Sequence, residues 1–112
     1  MDNLEKRKPY RNKRILEFSK GQPCTLEIPG VCNHNPETTV FCHFNKSFAG
    51  KGMGQKADDC AGVIACSSCH DVIDFRANMP NGQLISLALL NTYLLRGYYR
   101  TIRRLIDGSI LK

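Results

Sequence analysis

No stretch of this chain approaches the roughly 20 consecutive apolar residues that span a bilayer. A helical membrane protein is therefore not expected. The opening segment, MDNLEKRKPYRNKR, lacks the apolar core of a secretory leader, so export is not expected either. Without export the surroundings are reducing, and the six cysteines should not form a disulfide framework. Metal binding, catalysis or plain burial remain for the thiols. There is no internal repeat and no low-complexity tract. Acidic side chains are scarce as well: 10 Asp+Glu stand against 16 Lys+Arg, a net charge of +6. What is present looks globular. Hydrophobic residues make up 42% and charged residues 23%, near the average for folded domains, and 112 residues suit one domain.

The positive charge is concentrated. Lys6, Arg7, Lys8, Arg11, Lys13 and Arg14 stand against Asp2 and Glu5, so residues 1–14 carry 6 − 2 = +4 of the total. Such a segment repels itself and has little to bury, which predicts a flexible basic arm over 1–14. It reads either as a frayed terminus or as a phosphate-binding arm. A second cluster is Arg96, Arg100, Arg103 and Arg104. Three of these, Arg96, Arg100 and Arg103, fall at i, i+4, i+7 spacing on one helix face. A solvated helix face is the default for such a stripe, but two basic clusters on one small domain favour nucleic acid.

Residues 15–19 fit a short helix or a short strand. Residues 24–28 have the β-branched and apolar content of a strand, closed by a turn at Pro29-Gly30. Residues 38–44 make the best strand in the chain, and residues 62–65 a short buried one. Between them lies a long glycine-rich loop with Lys46, Lys51 and Lys56. Loops of this length are usually functional or mobile. Cys66-Ser-Ser-Cys69 opens a helix with serine at the N-cap, expected to run to about Asn78. Residues 83–107 are helical in pattern, with Leu84, Leu87, Leu90, Leu94, Tyr98, Ile102 and Leu105 on the apolar face. Gly97 is a candidate kink.

Cys66-x2-Cys69 has the spacing of a zinc knuckle, and Cys24-x7-Cys32 brackets a turn that can fold back with a second thiolate pair. Together they predict a four-cysteine tetrahedral zinc site; buried, unliganded thiols are the alternative. Cys42 and Cys60 then read as packing residues. His34 reads as an exposed loop residue. His43 lies in the best strand, and His70 follows the knuckle in the first turns of its helix.

The order Thr39-Val-Phe-Cys-His43 and then Cys66-Ser-Ser-Cys-His70 resembles the HNH branch of the ββα-metal (His-Me finger) nucleases. More closely, residues 29–74 resemble the small prophage-encoded nuclease family typified by YbcO. The residues that carry this are Pro29-Gly-Val-Cys-Asn33, Asn35-Pro-Glu-Thr-Thr39, His43, Gly52-Met-Gly54, Lys56 and Ala65-Cys-Ser-Ser-Cys-His-Asp-Val-Ile-Asp74.

The resemblance implies a small α+β fold: a zinc-stabilised ββα-metal finger with a long C-terminal helix. It would occupy residues 15–112, with the zinc core at 22–79 and the helical region at 83–107. It implies that His43 is the general base that takes a proton from the attacking water. Histidine suits that task because neutral imidazole is available near cellular pH. His70 would hold a divalent metal, Mg²⁺ or Mn²⁺, with Asp59 or Asp74 as a second carboxylate ligand. Asn45 would orient His43 or touch phosphate. Two positions depart from the HNH pattern: Cys42 replaces the aspartate that precedes the base, and the middle Asn has no clear match.

The expected function is metal-dependent DNA endonuclease activity in phage recombination or replication, in the cytoplasm of a bacterial host. Lys46, Lys51, Lys56, Arg96, Arg100, Arg103 and Arg104 would contact the DNA backbone. The alternative is a non-catalytic zinc finger that binds DNA or a phage or host repair or recombination protein. The apolar face of the last helix either packs on its own domain, the default for an amphipathic helix, or forms a homodimer.

Overall fold

In the computed structural model, which describes residues 8–45 and 57–111, the sheet forms where β-branched and aromatic residues are densest. Strand β1 is Val40–His43 and strand β2 is Gly62–Ala65. They pair antiparallel, with Phe41 opposite Ile64, Cys42 opposite Val63, and His43 opposite Gly62. Helix α1, Lys13–Ser19, precedes them, and a 3₁₀ turn at Pro36–Thr38 leads into β1. Helix α2, Ser67–Ile73, follows β2 after one residue, and helix α3, Leu87–Asp107, ends the fold. The expected α+β unit, strand, strand, short helix and long C-terminal helix, is present.

Alternation along the strands divides the interior in two. Cys42, Val63 and Ala65 enter one core with Leu26, Ile28, Val72 and Leu90. Phe41 and Ile64 enter a second with Ile15 and Leu105. All four residues of β2 are buried. Its outer edge is covered rather than bare: Ile64 donates its amide to Thr101 Oγ1 at 3.0 Å, and its carbonyl accepts from the Thr25 amide and hydroxyl at 2.8 and 2.7 Å. An uncovered strand edge invites pairing with another chain.

Helix α3 runs 21 residues without a break at Gly97. Gly97 lies on the buried face with Leu90, Thr101 and Leu105. A Cβ there would stand 2.6 Å from Leu26 Cδ2 and 3.3 Å from Val63 Cγ1. The glycine is thus a packing residue, letting the helix backbone approach the loop and β2. The expected apolar face is correspondingly shifted, since Leu84 and Leu87 are exposed.

Other expectations need correction. Residues 24–28 are not a strand. Glu27 adopts φ 44°, which breaks extended backbone, and the segment wraps toward the cysteines instead. Residues 10–14 are not a free arm. The Asp59 amide donates to the Tyr10 carbonyl (2.9 Å), the Tyr10 amide to Asp58 (3.1 Å) and the Asn12 amide to Asp59 (2.8 Å), while Lys13 and Arg14 begin α1. Residues 15–19 are helical, with Asn12 as N-cap. Helix α2 stops at Ile73, five residues short of Asn78, because Phe75 turns to φ 60°. Its N-cap is Cys66, not a serine. Cys60 is exposed rather than packed. Residues 1–7 and the expected lysine loop lie outside the described residues.

Gly97→Val should destabilise the domain by about 1–3 kcal/mol through overpacking, despite valine's better helix propensity. Urea denaturation followed by circular dichroism checks this; an unchanged or higher midpoint would contradict the packing role.

Candidate functional site

Two backbone knuckles face each other across the first core. In one, Cys66 caps α2, and its Sγ accepts from the Cys69 amide at 3.4 Å. In the other, Cys24 Sγ accepts from the Glu27 amide at 3.5 Å. The positions correspond, but Glu27 stands where a second cysteine would. The chain supplies that ligand later: it turns at Pro29-Gly30, and the Cys32 amide donates back to the Ile28 carbonyl at 2.9 Å. This detour accounts for the unusual x7 spacing.

The Sγ atoms of Cys24, Cys32, Cys66 and Cys69 all lie within 4.8 Å of one another, and Cys32 and Cys66 are 3.8 Å apart. Zinc bonds of about 2.3 Å to four thiolates give a tetrahedron with edges of about 3.8 Å. The donor set and the spacing therefore fit a structural zinc ion. Cys24 is already poised as a thiolate, held down to about 4 chiefly by a hydrogen bond from Cys69, against the opposing effect of burial. The backbone amides of Cys66, Glu27 and Leu26 add to it. Cys69 is raised well above the ordinary thiol range because it is the donor to Cys24. Burial, and then the charge of Asp74, push Cys42 up to about 12, so it stays a neutral packing thiol. His34 is exposed as expected but has a partner, its Nδ1 lying 3.7 Å from Cys32 Sγ.

Three arginines of α3 hold the cysteine loop from the other side. Arg96 donates to the Leu26 carbonyl, Arg100 to the Thr25 carbonyl and Glu27 (both 3.0 Å), and Arg104 to the Pro23 carbonyl. The stripe in use is thus 96, 100 and 104, with one guanidinium for each successive turn. Arg103 points elsewhere and pairs with Asp107 at 3.3 Å. The i, i+4, i+8 spacing is readable from sequence, but nothing in sequence says that the acceptors are carbonyls 70 to 81 residues away.

Of the two remaining histidines, His43 lines a small cleft, and His70 pairs with Asp74, which lines it too. His43, at the end of β1, lines it with Phe44, Asn45, Asp74, Leu90 and Leu94. Its Nε2 lies 2.7 Å from Asp59 Oδ1. Asp59 is 3% exposed and also accepts from the Asn12 amide. Burial works to raise its pKa, but the His43 hydrogen bond, the Asn12 amide and the charges of His43 and Arg11 outweigh it and hold the carboxyl below its usual value. Across the cleft, Asp74 caps α2. Its Oδ2 stands 3.1 Å from His70 Nε2 and 3.1 Å from Arg76 Nη1. Arg76 is steadied by Asp71 at 2.9 Å.

Of the two carboxylates considered beside His70, the structure therefore brings Asp74 to it and gives Asp59 to His43. The His43–Asp59 dyad and Arg76 escaped sequence reasoning. The adjacent Asp58 and Asp59, just before a buried strand, were the one available signal for the dyad.

Strand, strand and helix carrying a four-cysteine cluster that could hold a metal, with a histidine on the first strand and another on the helix, define a small α+β domain. The family model described as "Putative nuclease YbcO" matches residues 13–108. The chain belongs to this family. It is 47% identical over 64 residues to "Putative nuclease YbcO" of Escherichia coli (strain K12) and to "Putative nuclease ybcO" of Enterobacteria phage 82. Each match covers 57% of this chain and 66% of the relative, so the chain spans just under two thirds of those relatives' length. A solved structure described as "a putative bacteriophage protein from Escherichia coli str. K-12 substr. MG1655" superposes with a TM-score of 0.66 at 32% identity. That match covers 84% of this chain and 98% of the other. No helix among the described residues is long and apolar enough to cross a membrane.

Two outcomes follow from this geometry. Chelation of the metal, or Cys66→Ser, should cost several kcal/mol, on the order of half or more of a small domain's stability. Thermal unfolding with and without chelator, alongside elemental analysis, measures it; an unchanged midpoint after metal loss would refute a structural role. Because the Asp59 pKa is depressed by folding, its contribution is present above the unfolded value of about 3.9 and is lost as pH falls through the depressed one. Asp59→Asn should therefore destabilise at neutral pH, and the gap to wild type should narrow below about pH 4. A gap that is constant with pH in urea titrations would contradict this.

Proposed function

We propose that this chain is a metal-dependent DNA endonuclease of the HNH, His-Me finger type, acting on phage or host DNA in a bacterial cytoplasm. One observation carries the reading. His43, braced by a buried carboxylate, and Asp74, paired with His70, line the same cleft. The family's description as a nuclease supports it.

With Nε2–H donating a hydrogen bond to Asp59 Oδ1, the neutral His43 ring would carry its lone pair on Nδ1. Nδ1 is then the atom that takes a proton from water as that water attacks a phosphodiester. Opposite, the His70 Nε2 and Asp74 Oδ2 separation of 3.1 Å matches the edge of about 3.0 Å between neighbouring ligands of an octahedral ion with bonds near 2.1 Å. Together they would hold Mg²⁺ or Mn²⁺, whose charge would stabilise the leaving oxygen. Asn45, beside His43 in the cleft, would orient His43 or touch the phosphate.

Cys42 replaces the metal-binding aspartate expected before the base, and Asp74, four residues after His70, takes that part. Lys46, Lys51, Lys56 and Arg103 would position the DNA backbone, as would the free donors of Arg96, Arg100 and Arg104. A phage or host recombination protein is the expected partner of such an activity.

Purified protein with supercoiled plasmid and Mg²⁺ or Mn²⁺ should nick or linearise it. His43→Ala should lower the rate by about 10²–10⁴-fold while leaving bound zinc unchanged. Binding without cleavage under every metal would favour the non-catalytic DNA-binding module, and equal cleavage by His43→Ala would refute the general-base assignment.

A further inference from the structure

The cleft lined by His43 and Asp74 is more apolar than a phosphate needs. Phe44, Ile73, Phe75, Leu90 and Leu94 all line it, and no lysine or arginine does among the described residues. Ile73 and Leu90 are buried parts of the first core, and the Phe44 ring meets that of Tyr98 at 5.5 Å. Phe75 is different. It is 42% exposed, belongs to neither core, and has no ring partner among the described residues. A single exposed apolar side chain needs no explanation by itself, but this one stands in the candidate site.

Its backbone conformation is unusual as well. Phe75 follows the C-cap Asp74 with φ 60°, in the left-handed region. Glycine or asparagine usually holds that position after a helix, and a bulky side chain there is strained. The turn itself is made by backbone. The Phe75 amide donates to the Val72 carbonyl at 3.1 Å, and the Arg76 amide to the Asp71 carbonyl at 2.8 Å. The phenyl ring is therefore not needed to end α2. Strained residues of this kind gather at functional sites, and this one directly follows Asp74, which lines the cleft and pairs with His70.

We propose that Phe75 stacks on a nucleobase next to the scissile phosphate, so that the cleft takes DNA that is single-stranded or locally unpaired. The inference rests on the nuclease reading, which puts that phosphate beside His43 and Asp74. A flat apolar ring offers nothing to a phosphate and a stacking surface to a base. Every base has a π-face, so such a contact accepts any sequence. In a duplex both faces of a base are covered by its neighbours, and reaching Phe75 means leaving the stack. That cost is least where the strand is already unpaired.

The test uses the full zinc-loaded chain and three fluorescent probes of about 12 nucleotides: a mixed-sequence single strand, its duplex, and an abasic strand with the same phosphates and no bases. Anisotropy is read without Mg²⁺ or Mn²⁺, so that binding is separate from cleavage. The single strand should bind more tightly than the duplex or the abasic strand. Phe75→Ala should weaken the single strand by about fivefold or more and leave the abasic strand unchanged, with zinc content and circular dichroism unaltered. Phe75→Trp should keep the preference. With Mg²⁺, supercoiled plasmid, which opens locally, should be nicked faster than the same plasmid relaxed. Equal binding of single and abasic strands, or equal weakening of both by Phe75→Ala, would overturn the proposal. If plasmid is still cut in that case, the nuclease reading stands without it. Strand binding that depends on Phe75, with no cleavage under any metal, would instead remove the catalytic reading and uphold the base contact. No binding to any probe would overturn both.

Discussion

Four sulfur atoms within 4.8 Å of one another are the constraint on which this small fold depends. The sheet has two strands of four residues, too little to stand alone in water. The cysteines join the irregular loop after α1 to the start of α2, and α2 begins one residue after β2 ends. The loop is thereby held over β2, where Thr25 bonds the Ile64 carbonyl, and α3 closes over both through Gly97 and the arginines at 96, 100 and 104. Loop, sheet and both later helices thus share one anchor. His43 ends one strand of that anchored hairpin and His70 lies one residue past the last cysteine, so their separation is set by the same cluster.

The basic charge divides along similar lines. Arginines that look on paper like a phosphate-binding stripe spend donors on backbone carbonyls of the cysteine loop. Arginine suits this because its fork carries five donors and stays charged. Part of the basic arm is likewise engaged, through backbone bonds from residues 10–12 to Asp58 and Asp59. Asp59 therefore does two things at once: it docks the start of the chain and braces His43. Positive charge in a small domain can thus be structural.

The parts of this architecture legible in sequence were those fixed by local chemistry. Val40–His43 and Gly62–Ala65 are short β-branched or aromatic runs, and Cys66-x2-Cys69 sets a knuckle whatever surrounds it. The four-cysteine grouping was legible because two spaced pairs have few other uses. What stayed hidden depended on partners far along the chain. Residues 24–28 have strand composition, yet sulfur–amide bonds and the turn at Glu27 override it. Gly97 reads as a helix breaker because its neighbour Leu26 is 97 − 26 = 71 positions away, beyond any local pattern. The pairing of His43 with Asp59 spans 16 residues across the loop between the strands, and no periodicity announces it.

Anomalous diffraction from a crystal of the zinc-loaded protein soaked in Mn²⁺, with data at the zinc and manganese edges, most directly tests whether one metal shapes this domain and another serves its cleft. The zinc peak should lie among Cys24, Cys32, Cys66 and Cys69, and a separate manganese peak should lie at bonding distance, about 2.1–2.2 Å, from His70 Nε2 and Asp74 Oδ2. Manganese absent from the His70–Asp74 pair at saturating soak, or zinc absent from the four cysteines, would contradict that division of labour.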